Sequence, residues 1–386
     1  MVVVHLTSSR FFGGPERQML GLAHSLACQS AFLSFSEGGR CQSFLEAARR
    51  EGFHAHALEH DTPNLRAAID ELAGILQDLG AEVLCCNGYK ADLLGRIAAR
   101  RMRIPVVAVS RGWTRESWKV RLYESLDRLH LRWMDRVVCV SEGQAARVRQ
   151  SGVPAHRVAV IRNAINTERF ERPDPHCRER LRGYFGHAPS RLVGAVGRLS
   201  PEKGFGVLVD AARQIARQDR TVGFLVFGDG ALRDSLARRI DAAGLAGRFI
   251  LAGFRDDLDS LLPGLDTLVL PSFTEGLPNV VLEAFAAEIP VVATAVGGTP
   301  EIVTDEVNGY LVPPGDPDAL ARRMSDLLVS EERRRAMGSQ GRQRIEEEFT
   351  FEIQARAYAQ LFAELTEGAS TSSQAKLRAT PVASEV

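Results

Sequence analysis

Short, almost continuously apolar runs alternate with amphipathic segments along this chain, and halfway through the alternation starts again. No other feature restricts the fold as strongly. A run such as 2–6 or 83–86 has no polar face to turn to water, so both faces of its sheet must be covered. The first series predicts strands at 2–6, 31–35, 83–86, 106–109, 137–140 and 158–161. Helices are expected between them at 15–27, 41–51, 64–79, 90–101, 119–134 and 142–150. A second series predicts strands at 192–196, 224–227, 249–252, 267–270, 291–293 and 310–312, with helices at 206–216, 231–243 and 279–287 among them. The fold class that follows is α/β, with two doubly wound, Rossmann-like domains in tandem. The first is expected to span 1–165, joined by a last amphipathic helix at 349–365. The second spans 166–348, with the charged stretch 168–175 as connection. The Gly-, Ser- and Thr-rich tail 366–386 is expected to be disordered.

The remaining composition mostly excludes. Lys plus Arg equals Asp plus Glu at 48 each, so no bulk charge points to nucleic acid. Residues 1–165 carry 22 basic and 16 acidic side chains, and a basic first half suits an anionic ligand or a membrane surface as well as it suits scatter. No run reaches the roughly 18 apolar residues of a membrane span, and the chain opens on a strand, so a cytoplasmic protein is expected. Cys28, Cys41, Cys85, Cys86, Cys139 and Cys177 have no zinc or CxxC spacing and are expected to be reduced thiols.

Chemistry concentrates where strands give way to helices. Glu275 precedes Gly276, Leu277, Pro278 and Asn279, and Glu283 follows one to two turns into a helix. The start of a helix offers unpaired N–H groups and partial positive charge, which suits a phosphate. Two carboxylates there could clamp sugar hydroxyls, or simply favour the helix dipole and face solvent. Arg198 and Lys203 flank a loop after the first strand of the second series. A planar fork and a point charge suit a diphosphate, although two solvated cations would look the same. Gly13 and Gly14 open the first helix, allowing close backbone approach or just a tight turn. Further glycine-bearing strand ends are Gly228-Asp229-Gly230 and Gly253-Phe254-Arg255, and Gly297-Gly298-Thr299-Pro300-Glu301 opens another junction. Neither a full dinucleotide fingerprint nor a Walker loop is present.

In this order the motifs resemble the retaining GT-B-fold glycosyltransferases of the large family four, most densely over 190–320. The resemblance implies that Arg198 and Lys203 bind the diphosphate of a nucleotide sugar and that the N–H groups of Gly276 and Leu277 support phosphate and sugar. It implies that Glu275 holds sugar hydroxyls, Glu283 the ribose, and the Phe254–Arg255 backbone the base, with Asn279 beside them. Gly13 and Gly14 would approach the pyrophosphate from the other domain. Arg198, Lys203 and Glu275, with Arg111, form the implied catalytic set. The implied reaction moves a hexose to a glycan, lipid or small acceptor with retained configuration, without a metal or other cofactor, and uridine is the expected base.

One departure falls in the first half. Where this family commonly carries a histidine, the chain has Arg111, and a second such place holds Asn87. An arginine cannot shuttle a proton, but it can bind a sugar or an anionic acceptor, or form a structural ion pair. This keeps two rival readings open: a nucleotide-sugar binding protein without transfer, and a same-fold epimerase. Trp113 to Trp133 is rich in aromatic and basic residues (Arg115, Trp118, Lys119, Arg121, Tyr123, Arg128, Arg132), which suits peripheral membrane contact or a solvated helix face. His5 and His24 are expected to be structural, and Asp256 and Asp257 to be solvated acids.

Overall fold

The computed structural model describes the backbone of residues 1–113 and 118–378, and side chains at 1–113 and 124–367. The chain divides into two compact units, Met1–Arg162 with Phe351 onward, and Asn163–Thr350.

In the first unit, β1 (Val2–Thr7), β2 (Gln29–Phe35), β3 (His54–Leu58), β4 (Val83–Asn87), β5 (Val106–Ser110), β6 (Arg136–Cys139) and β7 (Val158–Val160) form one parallel sheet, in the order β3-β2-β1-β4-β5-β6-β7. Helices α1 (Gly14–Ser25), α2 (Gln42–Arg50), α3 (Leu65–Asp78), α4 (Tyr89–Met102), α5 (Trp118–Leu131) and α6 (Glu142–Gln150) connect the strands. The apolar runs explain themselves in the packing. Val4 and Leu6 of β1 share a core with Leu72 of α3 and Leu94 of α4. Val3, Val83 and Val107 point to the opposite face, under Tyr358, Leu361 and Phe362 near the carboxyl end of the chain.

The second unit holds α7 (Cys177–Arg182), β8 (Arg191–Val196), α8 (Phe205–Gln218), β9 (Val222–Phe227), α9 (Arg233–Ala242), β10 (Phe249–Gly253), α10 (Leu258–Leu261), β11 (Thr267–Leu270), α11 (Asn279–Ala286), β12 (Val291–Thr294), β13 (Gly309–Val312), α12 (Pro317–Val329) and α13 (Glu331–Glu348). Its strands are again all parallel, ordered β10-β9-β8-β11-β12-β13. Helix α14 (Phe351–Arg378) then returns the chain to the first unit, where it packs against α1.

Four expectations are corrected here. Strand β3 has no counterpart among the predicted strands. It is an edge strand reading His-Ala-His-Ala-Leu, so two of its five positions are polar and it lacks the apolar run of its neighbours. The units meet at 162/163 and 350/351 rather than at 165/166 and 348/349. Residues 168–175 belong to the second unit, because Phe170 is buried there and Asn166 caps the short turn Thr167–Phe170. The tail is helical to Arg378. Adding residues to an existing helix costs far less than nucleating one, and Gln374 to Arg378 are strong helix formers.

Candidate active site

In an open parallel sheet, ligands bind beyond the carboxyl ends of the strands, where the strand order reverses. In the second unit that point lies between β8 and β11, neighbours in the sheet but far apart in sequence. Lys203 ends the turn after β8, and Glu275 lies in the loop after β11. The two meet there, with Lys203 Nζ 2.7 Å from Glu275 Oε1 and side chains 24% and 8% exposed. Ser272 donates to the same oxygen at 2.7 Å. One carboxylate oxygen is thus held by an ammonium and a hydroxyl, which fixes the group in place.

The backbone around this pair is pressed together. Gly204 has φ +64°, and a Cβ there would come within 2.0 Å of the Pro271 carbonyl oxygen. Gly297 has φ +54°, and a Cβ would come within 1.9 Å of the Glu275 oxygen. Both positions require glycine on conformational and steric grounds. The Phe273 N–H donates to the Glu202 oxygen at 2.8 Å, tying the loop after β11 to the loop after β8. Thr294 of β12 donates to the Ser272 oxygen at 2.6 Å.

Helix α11 begins at Asn279 with Pro278 at its N-cap, one position earlier than a first-turn proline, and the missing N–H costs nothing there. The N–H groups of Gly276 and Leu277 have no protein partner among the described residues, although Leu277 is buried. Glu283 lies four residues after Asn279 and therefore on the same face of α11. Arg198 follows β8 and is exposed. Lys203, Glu275, Gly276, Leu277, Asn279 and Glu283 are thus carried by two adjacent strand ends and the helix that follows. Phe254 and Arg255 follow β10 at the sheet edge. Phe254 is exposed, and the Arg255 guanidinium grips Asp257 at 2.8 and 2.7 Å. Asp257 is accordingly not a solvated acid: it also receives Arg180, and the Arg255 bond leads the contacts that lower its carboxyl pKa.

In the first unit the order reverses between β1 and β4. Gly13 is the N-cap of α1 and Gly14 its first residue, at the end of the loop that follows β1. Arg111 follows β5 and donates to Asn87 Oδ1, at the end of β4, at 2.8 Å. The two positions that depart from the expected histidines are therefore bonded to each other. Beneath them, burial and then the Arg111 charge lower His5 to about 4, so it is neutral, stacked on Phe32. His24 is exposed and pairs with Glu51. Burial and then the Asp127 charge raise the Asp92 carboxyl well above its ordinary range. Asp127 is held by Trp113 Nε1 at 3.0 Å.

Trp113 and Trp133 each carry a guanidinium over the ring, Arg128 at 4.7 Å and Arg96 at 5.4 Å. Arg132 bonds the Ser151 oxygen. Arg115 lies outside the described residues, as do the side chains of Trp118, Lys119, Arg121 and Tyr123. All six cysteines are free. Among the described residues no helix is long and apolar enough to cross a membrane.

Asn163, which the motifs did not single out, reaches the same loop. Its amide donates to the Leu277 oxygen at 3.1 Å and to Asn279 Oδ1 at 2.8 Å. A bond across 114 positions leaves no local signal in the sequence.

Comparison with known proteins places the chain among glycosyltransferases. Residues 181–344 match the family described as glycosyl transferases group 1, and residues 13–164 the glycosyl transferase 4-like domain. The chain is 30% identical over 298 residues to 2-deoxystreptamine glucosyltransferase of Streptomyces kanamyceticus, spanning 69% of this chain and 77% of that protein. It is 28% identical over 264 residues to the UDP-Gal:alpha-D-GlcNAc-diphosphoundecaprenol alpha-1,3-galactosyltransferase of Escherichia coli, spanning 64% and 68%. Among solved structures, Anabaena HepE in complex with UDP-glucose superposes with a TM-score of 0.84 at 23% identity, over 95% of this chain and 100% of that one. This likeness extends the shared fold over both units.

Proposed function

Since the chain belongs to the glycosyl transferases group 1 family, we propose that it transfers a hexose from a nucleoside diphosphate sugar to a glycan, lipid-linked or small-molecule acceptor, with retained configuration. The Lys203–Glu275 contact at the reversal point of the second sheet carries this reading. Lys203 and Arg198 neutralise the diphosphate, and the Gly276 and Leu277 N–H groups receive its oxygens. Glu275 holds sugar hydroxyls with its remaining acceptor capacity, and Glu283 holds the ribose. Phe254 and the Arg255 backbone border the base.

The leaving group is a nucleoside diphosphate whose negative charge grows as the glycosidic bond breaks. Fixed cations and N–H dipoles stabilise that charge without reorganising, the work a divalent metal does elsewhere. Glu275 acts as a holder rather than a nucleophile, because one of its oxygens is already committed to Lys203 and Ser272. Arg111, oriented by Asn87, binds the acceptor. UDP sugars are the first choice of donor, as HepE is found in complex with UDP-glucose and the Escherichia coli relative is a UDP-Gal galactosyltransferase. We place the protein in the cytoplasm, at the membrane periphery. Leu126, Leu129 and Trp133 are exposed at spacings that align along α5 and its end, close to Arg128 and Arg132.

The test is release of nucleoside diphosphate from UDP-, GDP- and ADP-hexoses with a panel of acceptors, with and without chelator, and the anomer of the product read by NMR. Release with an α-linked product from an α-linked donor is expected, insensitive to chelator. Binding of a nucleoside diphosphate without transfer to any acceptor would favour the binding-protein reading instead.

A further inference from the structure

Three successive carbonyls of the loop 275–277 are each held by a neighbour. The Glu275 oxygen packs on Gly297, the Gly276 oxygen accepts from the Gly298 N–H at 2.8 Å, and the Leu277 oxygen accepts from Asn163 Nδ2 at 3.1 Å. In a trans peptide the C=O and N–H point in opposite directions. Tying back the Glu275 and Gly276 carbonyls therefore turns the Gly276 and Leu277 N–H groups away from Gly297 and Gly298. The third carbonyl, at Leu277, shares its plane with Pro278, so its anchor fixes the entry into α11 instead. Asn163 supplies that anchor, and the same amide nitrogen also donates to Asn279 Oδ1 at 2.8 Å. Asn163 is itself buried, 6% exposed, as the first residue of the second unit. At the far end of α11, Arg342 Nη1 bridges the Ala286 oxygen at 2.7 Å and the Thr167 oxygen at 3.2 Å. Both ends of the helix are therefore strapped to the segment 163–167 by which the chain enters the unit.

We infer that Asn163 is a positioning residue for the diphosphate cradle: it touches no substrate, but sets the loop whose N–H groups receive the phosphates. This rests on the donor site proposed above. Without Asn163 the Leu277 carbonyl loses its anchor and Asn279 Oδ1 loses a donor. The cradle then samples other conformations, and only the ligand's phosphates feel the change.

Isothermal titration tests this on the full chain. UDP, GDP and ADP are compared, and the tightest is measured with its matching nucleoside on wild type, Asn163→Ala and Asn163→Asp. Asn163→Asp keeps the shape and removes both donors, so it serves if the alanine variant does not fold. The diphosphate is expected to weaken about tenfold, the value of a lost buried hydrogen bond, with the nucleoside unchanged. The donor KM rises with it. Equal affinities in wild type and folded variants would overturn the inference, and so would a parallel loss for diphosphate and nucleoside, which marks a general structural role. If none of the three diphosphates binds wild type, the proposed function itself fails and this inference falls with it.

Discussion

At the scale of single residues, the most consequential contact is Lys203 with Glu275, an ion pair whose carboxylate is almost fully buried and whose ammonium is mostly so. Replacing Lys203 by alanine leaves Glu275 with Ser272 and removes a fixed cation from the proposed diphosphate site. The rate of nucleoside diphosphate release is expected to fall about 100-fold, the usual scale for one preorganised donor, while circular dichroism stays that of wild type. A second residue-scale prediction concerns Asp92 and Asp127, side by side in the first unit. The folded chain keeps a proton on Asp92 that the unfolded chain releases above about pH 4. A raised carboxyl pKa contributes stability below the unfolded value and loses it as pH rises. An asparagine in its place would have no proton to lose. Asp92→Asn is therefore expected to raise Tm more at pH 8 than at pH 4.5, with Trp113, Arg111, Glu124 and Arg128 around the pair unchanged. An equal gain at both values would show that Asp92 is not held protonated.

At the scale of elements, the site is a pair of loops pressed onto one another, after β8 and after β11, braced by the turn after β12. Gly297→Ala places a Cβ against the Glu275 carbonyl at a φ that alanine avoids. It is expected to cost about 2 kcal/mol of stability and to slow nucleoside diphosphate release, measured by denaturant unfolding and by the release assay. These elements were largely legible in the sequence, because a strand buried on both faces must be an apolar run and the runs sit next to the helices they need. Strand β3 was not legible, since an edge strand can alternate polar and apolar residues and its five positions are too few to stand out. The period-two pattern of His54 to Leu58 was the available signal. The extension of α14 to Arg378 was hidden because Gly- and Ser-rich composition speaks of nucleation, whereas this stretch only prolongs a helix already formed. In the site, Lys203 and Glu275 were legible as chemistry at strand ends, and their bond was not. Asn163 was invisible as a site residue, because its bonds form only when the chain entering the second unit lies beside a loop more than a hundred positions away.

At the scale of the whole molecule, the chain leaves the first unit at Arg162 and returns to it at Phe351, so that unit is built from both ends of the sequence. Tyr358, Leu361, Phe362 and Leu365 of α14 complete a core under β1, β4 and β5. A chain cut after residue 350 would expose that face. At about 1.5–3 kcal/mol for each large side chain, the loss is comparable to the whole stability of a domain. Such a truncation is expected to aggregate, whereas one ending at residue 367 keeps Tyr358, Leu361, Phe362 and Leu365 and is expected to keep the wild-type Tm in a thermal melt. The restart of the strand–helix pattern announced two such units. That the second is entered at Asn163, through the same segment that anchors the loop 275–277, emerged only from the fold. The most direct test of the central claim, that Glu275 holds the sugar while Lys203 and the loop hold the phosphates, is the Glu275→Gln variant assayed with the donor sugar and titrated with the corresponding nucleoside diphosphate. The account predicts diphosphate affinity within about threefold of wild type and release from the nucleotide sugar slower by about 100-fold. Release at the wild-type rate would contradict it.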